Sequence, residues 1–442
     1  MPFIFWIITC ASLGGIIYGY DLGVFSGTIY FIRKDIHLSL EQIDMLGGIV
    51  FFGGLLGTMA TGYLSDRFGR RIMILIGSLL FSVGVLLVVY QASFYHMLFG
   101  RLIAGLAVGI LSVAIVSYLS EIAPSPIRGK SVTLFQLFLT AGILLAYLAD
   151  TLLGHTGSWK AMYALSLIPA VILFITLLFL PESPRWLACN GREKEALKVL
   201  KLTRPHAEAA KEMYEILNPP QETTSRWRDL FTGRQFIPLL TLLAVAILNQ
   251  LTAINSILLY APHIFMQAGF SSNHSAMEGA VMIGAVNFIS TLIGTRLVDR
   301  LGRRLLLMLG TAGITLGYIF LAIISPFNLA PVYTLCGFLW IIFTFAFGPG
   351  TVVWLILTEL LPTHIRGKGV ALGLFANSMA SWALASVFLT LNNRLGNSLT
   401  YAVFASFMVI YFIVGWKLVP ETSHRSLEQI QKDMDADYAE SH

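Results

Sequence analysis

The chain has 442 residues, of which 56% are hydrophobic and 12% charged, with a mean hydropathy of +0.75. A soluble domain carries roughly 25% charged residues, so this composition excludes a soluble globular chain, and the excess apolar side chain must face lipid. The net charge of +5 does not point to nucleic acid, because the basic residues are gathered into a few loops.

A helix needs about 20 apolar residues to cross the hydrocarbon core, and such runs recur along the chain. In the first part they fall at 3–31, 43–64, 72–91, 94–121, 131–153 and 160–180. The first is too long for a signal-peptide core and lacks a basic leader and a small-residue cleavage site, so it reads as a retained helix. A polar stretch, 181–235, follows. Within it, 187–218 reads as short amphipathic helices, with Leu187, Leu197, Leu200, Met213, Ile216 and Leu217 set among charges until Pro219 and Pro220 break the pattern. That segment is either a solvated linker or a packed bundle latching two halves. The runs resume at 236–268, 277–298, 305–325, 331–360, 369–391 and 400–419. They are too long, and too apolar on all sides, for barrel strands. The expected fold is an all-α membrane protein with about twelve transmembrane helices.

Three motif pairs recur in the same order. GYLSDRFGRR from Gly62 matches GTRLVDRLGRR from Gly294, SEIAPSPIRGK from Ser120 matches TELLPTHIRGK from Thr358, and PESPRW from Pro181 matches PETSHR from Pro420. The chain therefore reads as two six-helix repeats, an arrangement that builds carriers around a central site. The expected parts are 1–180, a linker at 181–235, 236–419 and a tail at 420–442, with 1–180 rocking against the second half. Arg67, Arg70, Arg71, Arg128 and Lys130, and later Arg296, Arg300, Arg303, Arg304, Arg366 and Lys368, lie on one side. Only Arg33, Lys34, Lys160 and Arg394 lie on the other. The positive-inside rule then places both termini in the cytoplasm.

Asp66 and Arg70 with Glu121 and Arg128 can pair across helix ends, and Asp299, Arg303, Glu359 and Arg366 repeat the set; Glu182 and Glu421 add acceptors. Isolated surface pairs are each worth about 0–1 kcal/mol, so only a network would matter. Asp21, in GYDLGVFSG, lies inside the first apolar run, and Arg101, near the start of the fourth, can reach a similar depth. An intramembrane charge is costly and calls for a partner. Asp21 is a static partner of Arg101, a snorkelling carboxylate, or a proton carrier that takes its proton when the pair separates.

Uncharged amides also occur at membrane depth: Gln136, Asn249, Gln250, Asn255, Asn287 and Asn377. A lone buried Asn usually ties helices together, but six over four helices suit a polyhydroxylated ligand, whose hydroxyls both donate and accept. Gly348, Pro349 and Gly350 should weaken the tenth run just before Trp354, and carriers break helices beside their substrates. Trp354 is either an aromatic surface for a ligand or ordinary packing. Cys10, Cys189 and Cys336 are scattered, and the histidines are dispersed. No metal, cofactor or enzymatic motif is expected, and without an ATP-binding motif transport must use a gradient or run downhill.

The paired DRxGRR-type loops, PESPRW, PETSHRSLEQI and NQLTAINS together resemble the sugar porter family of the major facilitator superfamily, most closely the bacterial sugar–proton symporters, over nearly the whole chain. The resemblance implies that Asp21, with Arg101, couples transport to protons, since the proton-coupled members carry Asp in this motif and the facilitative glucose carriers carry Asn. It implies that the six amides and Trp354 bind sugar, that Tyr260 and Pro262 with the 348–350 segment close over it, and that the charge motifs hold the cytoplasmic side shut. Asn249, Leu259, Ala346 and Ser378 depart from the common Gln, aromatic, acidic and Trp residues, which implies a less aromatic pocket. Ser423 and His424 replace the usual Lys-Gly. The expectation is proton-coupled symport of a hexose or pentose, by a monomer in a bacterial inner membrane. An uncoupled sugar or polyol carrier, or a sensor without flux, stands as the alternative; a sensor tends to carry a long signalling tail.

Overall fold

In the computed structural model, residues 2–218, 227–231, 235–327, 330–361 and 363–421 are described. They form α-helices joined by short turns, with no strand among them. Eleven helices or helix pairs are long and apolar enough to cross a membrane, and a bent pair, Ile365–Ala385 with Phe388–Leu395 at 51°, makes a twelfth. These spans follow the apolar runs of the sequence, although the first helix, α1 (Pro2–Ile36), outlasts its run by several residues. Large side chains such as Leu79, Leu86, Ile175, Leu316 and Ile323 are exposed on the spans, the faces an apolar medium would cover.

The chain divides into two compact units, Met1–Gln221 and Glu222–His442. The first holds α1, α2 (Leu40–Phe68), α3 (Arg70–Tyr90), α4 (Phe94–Ile122), α5 (Arg128–Leu153), α6 (Trp159–Ala164) and α7 (Leu167–Phe179). Three short helices follow, α8 (Pro184–Cys189), α9 (Glu193–Thr203) and α10 (His206–Leu217). Their apolar faces, through Leu187, Leu200 and Met213, join the same buried core as Ile115, Leu119 and Leu177. Arg204 ties this group down by donating to the Ile122 carbonyl at the end of α4 and pairing with Glu212. The amphipathic segment is thus a packed part of the first unit rather than a solvated linker. Leu217 is the exception to the expected apolar face, since it is exposed at the last turn of α10.

Helix packing in the first unit rests on close backbone approach. Gly53 and Gly57 on α2 meet Gly105 and Gly109 on α4: a methyl group on Gly57 would stand 2.1 Å from the Leu106 carbonyl oxygen, and one on Gly105 2.2 Å from that of Val50. Small residues four apart allow such crossings, which gain dispersion energy that lipid cannot supply. Helix α1 uses the same device on α5, through Gly15, Gly19, Gly23 and Gly27.

The second unit holds α11 (Phe236–Gln250), α12 (Ile254–Gln267), α13 (Asn273–Leu301), α14 (Arg303–Ile324), α15 (Pro331–Phe347), α16 (Pro349–Glu359), α17 (Thr363–Ala385), α18 (Phe388–Leu395) and α19 (Asn397–Lys417). Here the spans are broken. Gly348 separates α15 from α16, as the Gly-Pro-Gly segment predicts. The α11–α12 break at 251–253 carries no glycine or proline, and Ala253 takes a left-handed φ of 57° there. A side chain in that region costs about 1–2 kcal/mol, which the surrounding packing must sustain.

The two units share one device at matching positions. Gly69 and Gly302, both at positive φ, precede α3 and α14, and a carboxylate satisfies each helix start. Glu182 accepts from the backbone N–H of Arg70 at 3.1 Å and of Arg71 at 3.0 Å. Glu421 accepts from those of Arg303 at 3.0 Å and Arg304 at 3.1 Å. A helix start presents unpaired N–H groups and a positive dipole end, so an anion there is favourable. Burial pushes the Glu182 carboxyl up, against the pull of those amides, that of Ser183 and the Arg70 charge.

Two predictions follow from this packing, both read as the thermal midpoint of detergent-solubilised protein. Gly105→Leu should lower it by several degrees or abolish folded yield, since overpacking costs about 1–3 kcal/mol; Gly129→Ala, with open space around it, should not. An unchanged midpoint in Gly105→Leu would refute the close α2–α4 crossing. Glu182→Ala should also destabilise, because it strands buried N–H groups at about 1–3 kcal/mol; a wild-type midpoint would mean that water replaces the cap without loss.

Candidate functional site

In the first unit, Asp21 on α1 and Arg101 on α4 come together as their depth in the sequence predicts. They are 2% and 0% exposed, and Nη1 of Arg101 lies 4.0 Å from Oδ1 of Asp21. A charge-assisted hydrogen bond spans about 2.7–2.9 Å, so this is contact between charges without a bond. Arg101 is held elsewhere. Its Nε donates to the Leu46 carbonyl at 2.7 Å, its Nη1 to the Tyr163 hydroxyl at 2.8 Å, and its guanidinium stacks 4.0 Å over Phe25. Oδ2 of Asp21 and Nη2 of Arg101 have no hydrogen-bond partner among the described residues. The arginine is therefore fixed and the carboxylate loosely held, an arrangement in which Asp21 can leave without dismantling the cation's site. Leu46, Phe25 and Tyr163 carry no signal in the sequence, because only packing brings them to Arg101.

In the second unit, three of the predicted amides form one hydrogen-bonded cluster across the helix break. Gln250 Nε2 donates to Asn377 Oδ1 at 3.1 Å, Asn255 Nδ2 donates to Gln250 Oε1 at 2.8 Å, and Asn377 Nδ2 donates to the Ala246 carbonyl at 2.9 Å. Asn249, next to Gln250 in the chain, is also buried, and its Oδ1 has no hydrogen-bond partner among the described residues. The break makes this possible. It turns α12 so that Asn255, five residues after Gln250, meets it side chain to side chain, while Thr252 donates to the Asn249 carbonyl and Tyr318 to that of Thr252. Asn287, buried on α13, and Trp354, 40% exposed on α16, lie in the same unit but form no hydrogen bond with the cluster among the described residues. Gln136 is half-buried on α5 of the first unit.

Of the residues expected to close over a ligand, Tyr260 is fully buried. It donates to the Ala385 carbonyl at 3.0 Å and stacks on Phe388, with ring centroids 5.8 Å apart. Pro262 lies inside α12. Pro349 and Gly350 begin α16 just beyond the Gly348 break.

The charge motifs gather around Arg70. Its Nη2 pairs with Asp66 at 2.9 Å and with Glu121 at 3.0 Å, and its Nη1 donates to the Ser65 carbonyl. Ser183 donates to the other oxygen of Glu121. The Glu121 pair is shielded and counts for more than the Asp66 pair, whose carboxylate is 73% exposed. Arg128, the fourth residue of the expected set, is exposed at the start of α5, and Arg70 contacts both carboxylates. In the second unit Arg303 pairs with Glu359 at 3.5 Å, and Arg366 donates to the Leu361 carbonyl at 3.2 Å. The Asp299 side chain and the tail from 422 onward lie outside the described residues.

Comparison with known proteins accounts for this combination. Residues 7–434 match the family model described as Sugar (and other) transporter. The galactose-proton symporter of Escherichia coli K12 is 35% identical over 438 residues, which cover 97% of this chain and 94% of that protein. The arabinose-proton symporter of Bacillus subtilis is 31% identical, covering 98% and 95%. The solved structure of XylE, a major facilitator superfamily proton:xylose symporter, bound to 6-bromo-6-deoxy-D-glucose, superposes with a TM-score of 0.82 at 28% identity, covering 98% of this chain and 99% of that one. The repeated motifs, the all-helical fold and these relatives agree: the chain belongs to the sugar porter family of the major facilitator superfamily, and is a multi-pass membrane carrier rather than an enzyme.

Proposed function

We propose that this protein is a proton-coupled symporter of a monosaccharide, a hexose or pentose, working by alternating access in a bacterial inner membrane with both termini in the cytoplasm. The observation that carries the reading is the loosely held Asp21 beside a fixed, fully buried Arg101. A charge in the membrane interior is expensive unless paired. While Asp21 faces Arg101 the ionised pair is tolerable; once the contact opens, the carboxyl must take a proton or be stranded. Proton uptake is thereby tied to a change in the position of α1 against α4. Relatives named as galactose- and arabinose-proton symporters support this coupling.

The amide cluster is the proposed sugar site. Asn255, Gln250 and Asn377 point donors and acceptors at one another, and Asn249, whose Oδ1 has no partner among the described residues, can accept from a hydroxyl. A sugar entering this group exchanges amide–amide bonds for amide–hydroxyl bonds, so binding costs little desolvation. The partly exposed Trp354 face offers the apolar surface that one side of a pyranose needs. Asn287 is assigned to the same site by residue type and unit, Gln136 of the first unit to sugar binding by the family resemblance alone, and Tyr260, Pro262 and the Gly348–Pro349–Gly350 segment to closure of the site. The pairs around Arg70 and Arg303 are assigned to closing the cytoplasmic side. We take the carrier to be a monomer.

The coupling is tested by sugar-induced alkalinisation outside vesicles containing the protein, across hexoses, pentoses and polyols. One sugar should give a signal in wild type and none in Asp21→Asn, and the variant should lose uphill accumulation while keeping counterflow. Accumulation that survives in Asp21→Asn would sink the proton-coupled reading and leave a carrier driven otherwise. Counterflow without any alkalinisation in wild type would identify an uncoupled carrier. Asn377→Ala should raise the counterflow KM for that sugar about tenfold or more, corresponding to one lost buried hydrogen bond with a stranded partner at about 1–3 kcal/mol. A KM unchanged in both Asn377→Ala and Trp354→Ala would remove the site from this unit.

A further inference from the structure

The loose pair at Asp21 is not the only acid buried among the spans of the first unit. Asp150, near the end of α5, is 1% exposed, and neither of its carboxyl oxygens has a hydrogen-bond partner among the described residues. It rests on the backbone of α1. A methyl group built on Gly27 would stand 2.2 Å from Oδ2 and 2.5 Å from Cβ of Asp150. Gly27 is the last of the four glycines along which α1 lies on α5, so the carboxyl is sealed where that contact ends. Asp21 and Gly27 are six residues apart on one helix, which places Asp150 about 9 Å further along α1.

The charged and titratable groups around it offer no compensation. On α1, Tyr20 donates its hydroxyl to the Met162 carbonyl, and Arg33, Lys34 and Asp35 lie exposed at the far end. On α4, Arg101 is engaged by Leu46, Tyr163 and Asp21, while His96 and Glu121 stand at the two ends of that helix. On α6, Tyr163 is bound to Arg101 and Lys160 lies over Trp159. His155, in the turn after α5, is exposed, and Tyr147 is one turn back on α5 itself. None of these cations forms an ion pair with Asp150 among the described residues. An ionised carboxylate sealed in such a place, with no cation paired to it among the described residues and only the Gly27 backbone N–H, already part of helix α1, near enough to act on it, costs several kcal/mol. The ligand that removes the cost is a proton.

We propose that Asp150 is a second proton-binding carboxyl of this carrier, sealed by helix α1 at Gly27, and lying to the outer side of Asp21 in the orientation proposed above. The outward placement rests on the proposed symport topology; the occupancy by a proton does not. The proton is held only while α1 stays packed on α5. If α1 moves away, water reaches the carboxyl, it can ionise, and repacking then requires a proton to be taken up again. Asp150 therefore ties the α1–α5 contact to the proton concentration on the side that it faces, separately from the Asp21–Arg101 contact.

The direct test is infrared spectroscopy of the reconstituted protein, following the C=O stretching band that a buried protonated carboxylic acid gives and that carboxylates and amides do not. Wild type and Asp21→Asn should both show a band that Asp150→Asn and Asp150→Ser lack. A band of equal size in the Asp150 variants, or its absence from wild type at every pH down to mild acid, overturns the proposal. The transport arm is counterflow in the Asp21→Asn background. The rate should fall several-fold as external pH rises, and become flat on adding Asp150→Asn; an identical pH profile in the double variant counts against a role in transport. Failure of the symport reading would show as accumulation surviving in Asp21→Asn, and leaves the infrared result to judge Asp150 by itself.

Discussion

Everything polar in the first unit depends on how closely its helices approach. An apolar medium provides no partner for a charge or a backbone group, so each must be satisfied inside the protein. The glycines of α1 bring α5 to within backbone contact, and those of α2 and α4 do the same for that pair. Only at such separations can the Leu46 carbonyl of α2 and the Tyr163 hydroxyl of α6 both reach the guanidinium on α4. The glycines therefore act on the chemistry indirectly. They hold no ligand, but they set the spacing at which Arg101 can be buried at all, and at which Asp21 is left 4.0 Å away rather than bonded.

The second unit solves a different problem. Its polar groups are neutral amides, and its helices are interrupted to bring them together. A break exposes backbone carbonyls, which need new donors in an apolar setting. Two buried tyrosines supply them. Tyr318 donates to Thr252 at the α11–α12 break, and Tyr260 on α12 donates to Ala385 where α17 gives way to α18. The helix α12 is thus anchored near its start and again at its middle through groups that exist only because neighbouring helices are broken. A movement of α12 must disturb both tyrosine bonds, or carry α14 and α17 along with it.

Much of this was legible in the sequence because membrane crossing leaves a coarse record. Apolar runs of helical length gave the spans, and the repeated DRxGRR and IRGK segments gave the duplication. Asp21 and Arg101 stood out because charges are rare in such runs. Gln250, Asn255 and Asn377 could be grouped by residue type, but not by contact, since they meet only across a break at Leu251–Ala253 that contains neither glycine nor proline. The Gly348 break, marked by Gly-Pro-Gly, was legible for the opposite reason. Asp66, Arg70, Glu121 and Arg128 could be grouped as one set at the helix ends, but only the fold shows that Arg70 contacts both carboxylates while Arg128 is exposed. Asp150 could have been flagged as a charge near the end of an apolar run. What no pattern reveals is that it faces a glycine and, among the described residues, pairs with no cation.

The comparison of the two units suggests how one duplicated plan came to carry two tasks. The device at the helix starts is retained in both: a glycine at positive φ, paired arginines and a capping carboxylate, Glu182 in one and Glu421 in the other. These groups sit at the ends of spans, where water and lipid headgroups limit the cost of charge, and both halves can keep them. Membrane depth is different. There a charge is tolerated only against a fixed partner, and a neutral amide only within a hydrogen-bonded group. In the proposed mechanism, concentrating the acids on glycine-packed helices would tie their protonation to small changes in packing. Concentrating the amides on broken helices keeps the site adjustable without stranding a charge.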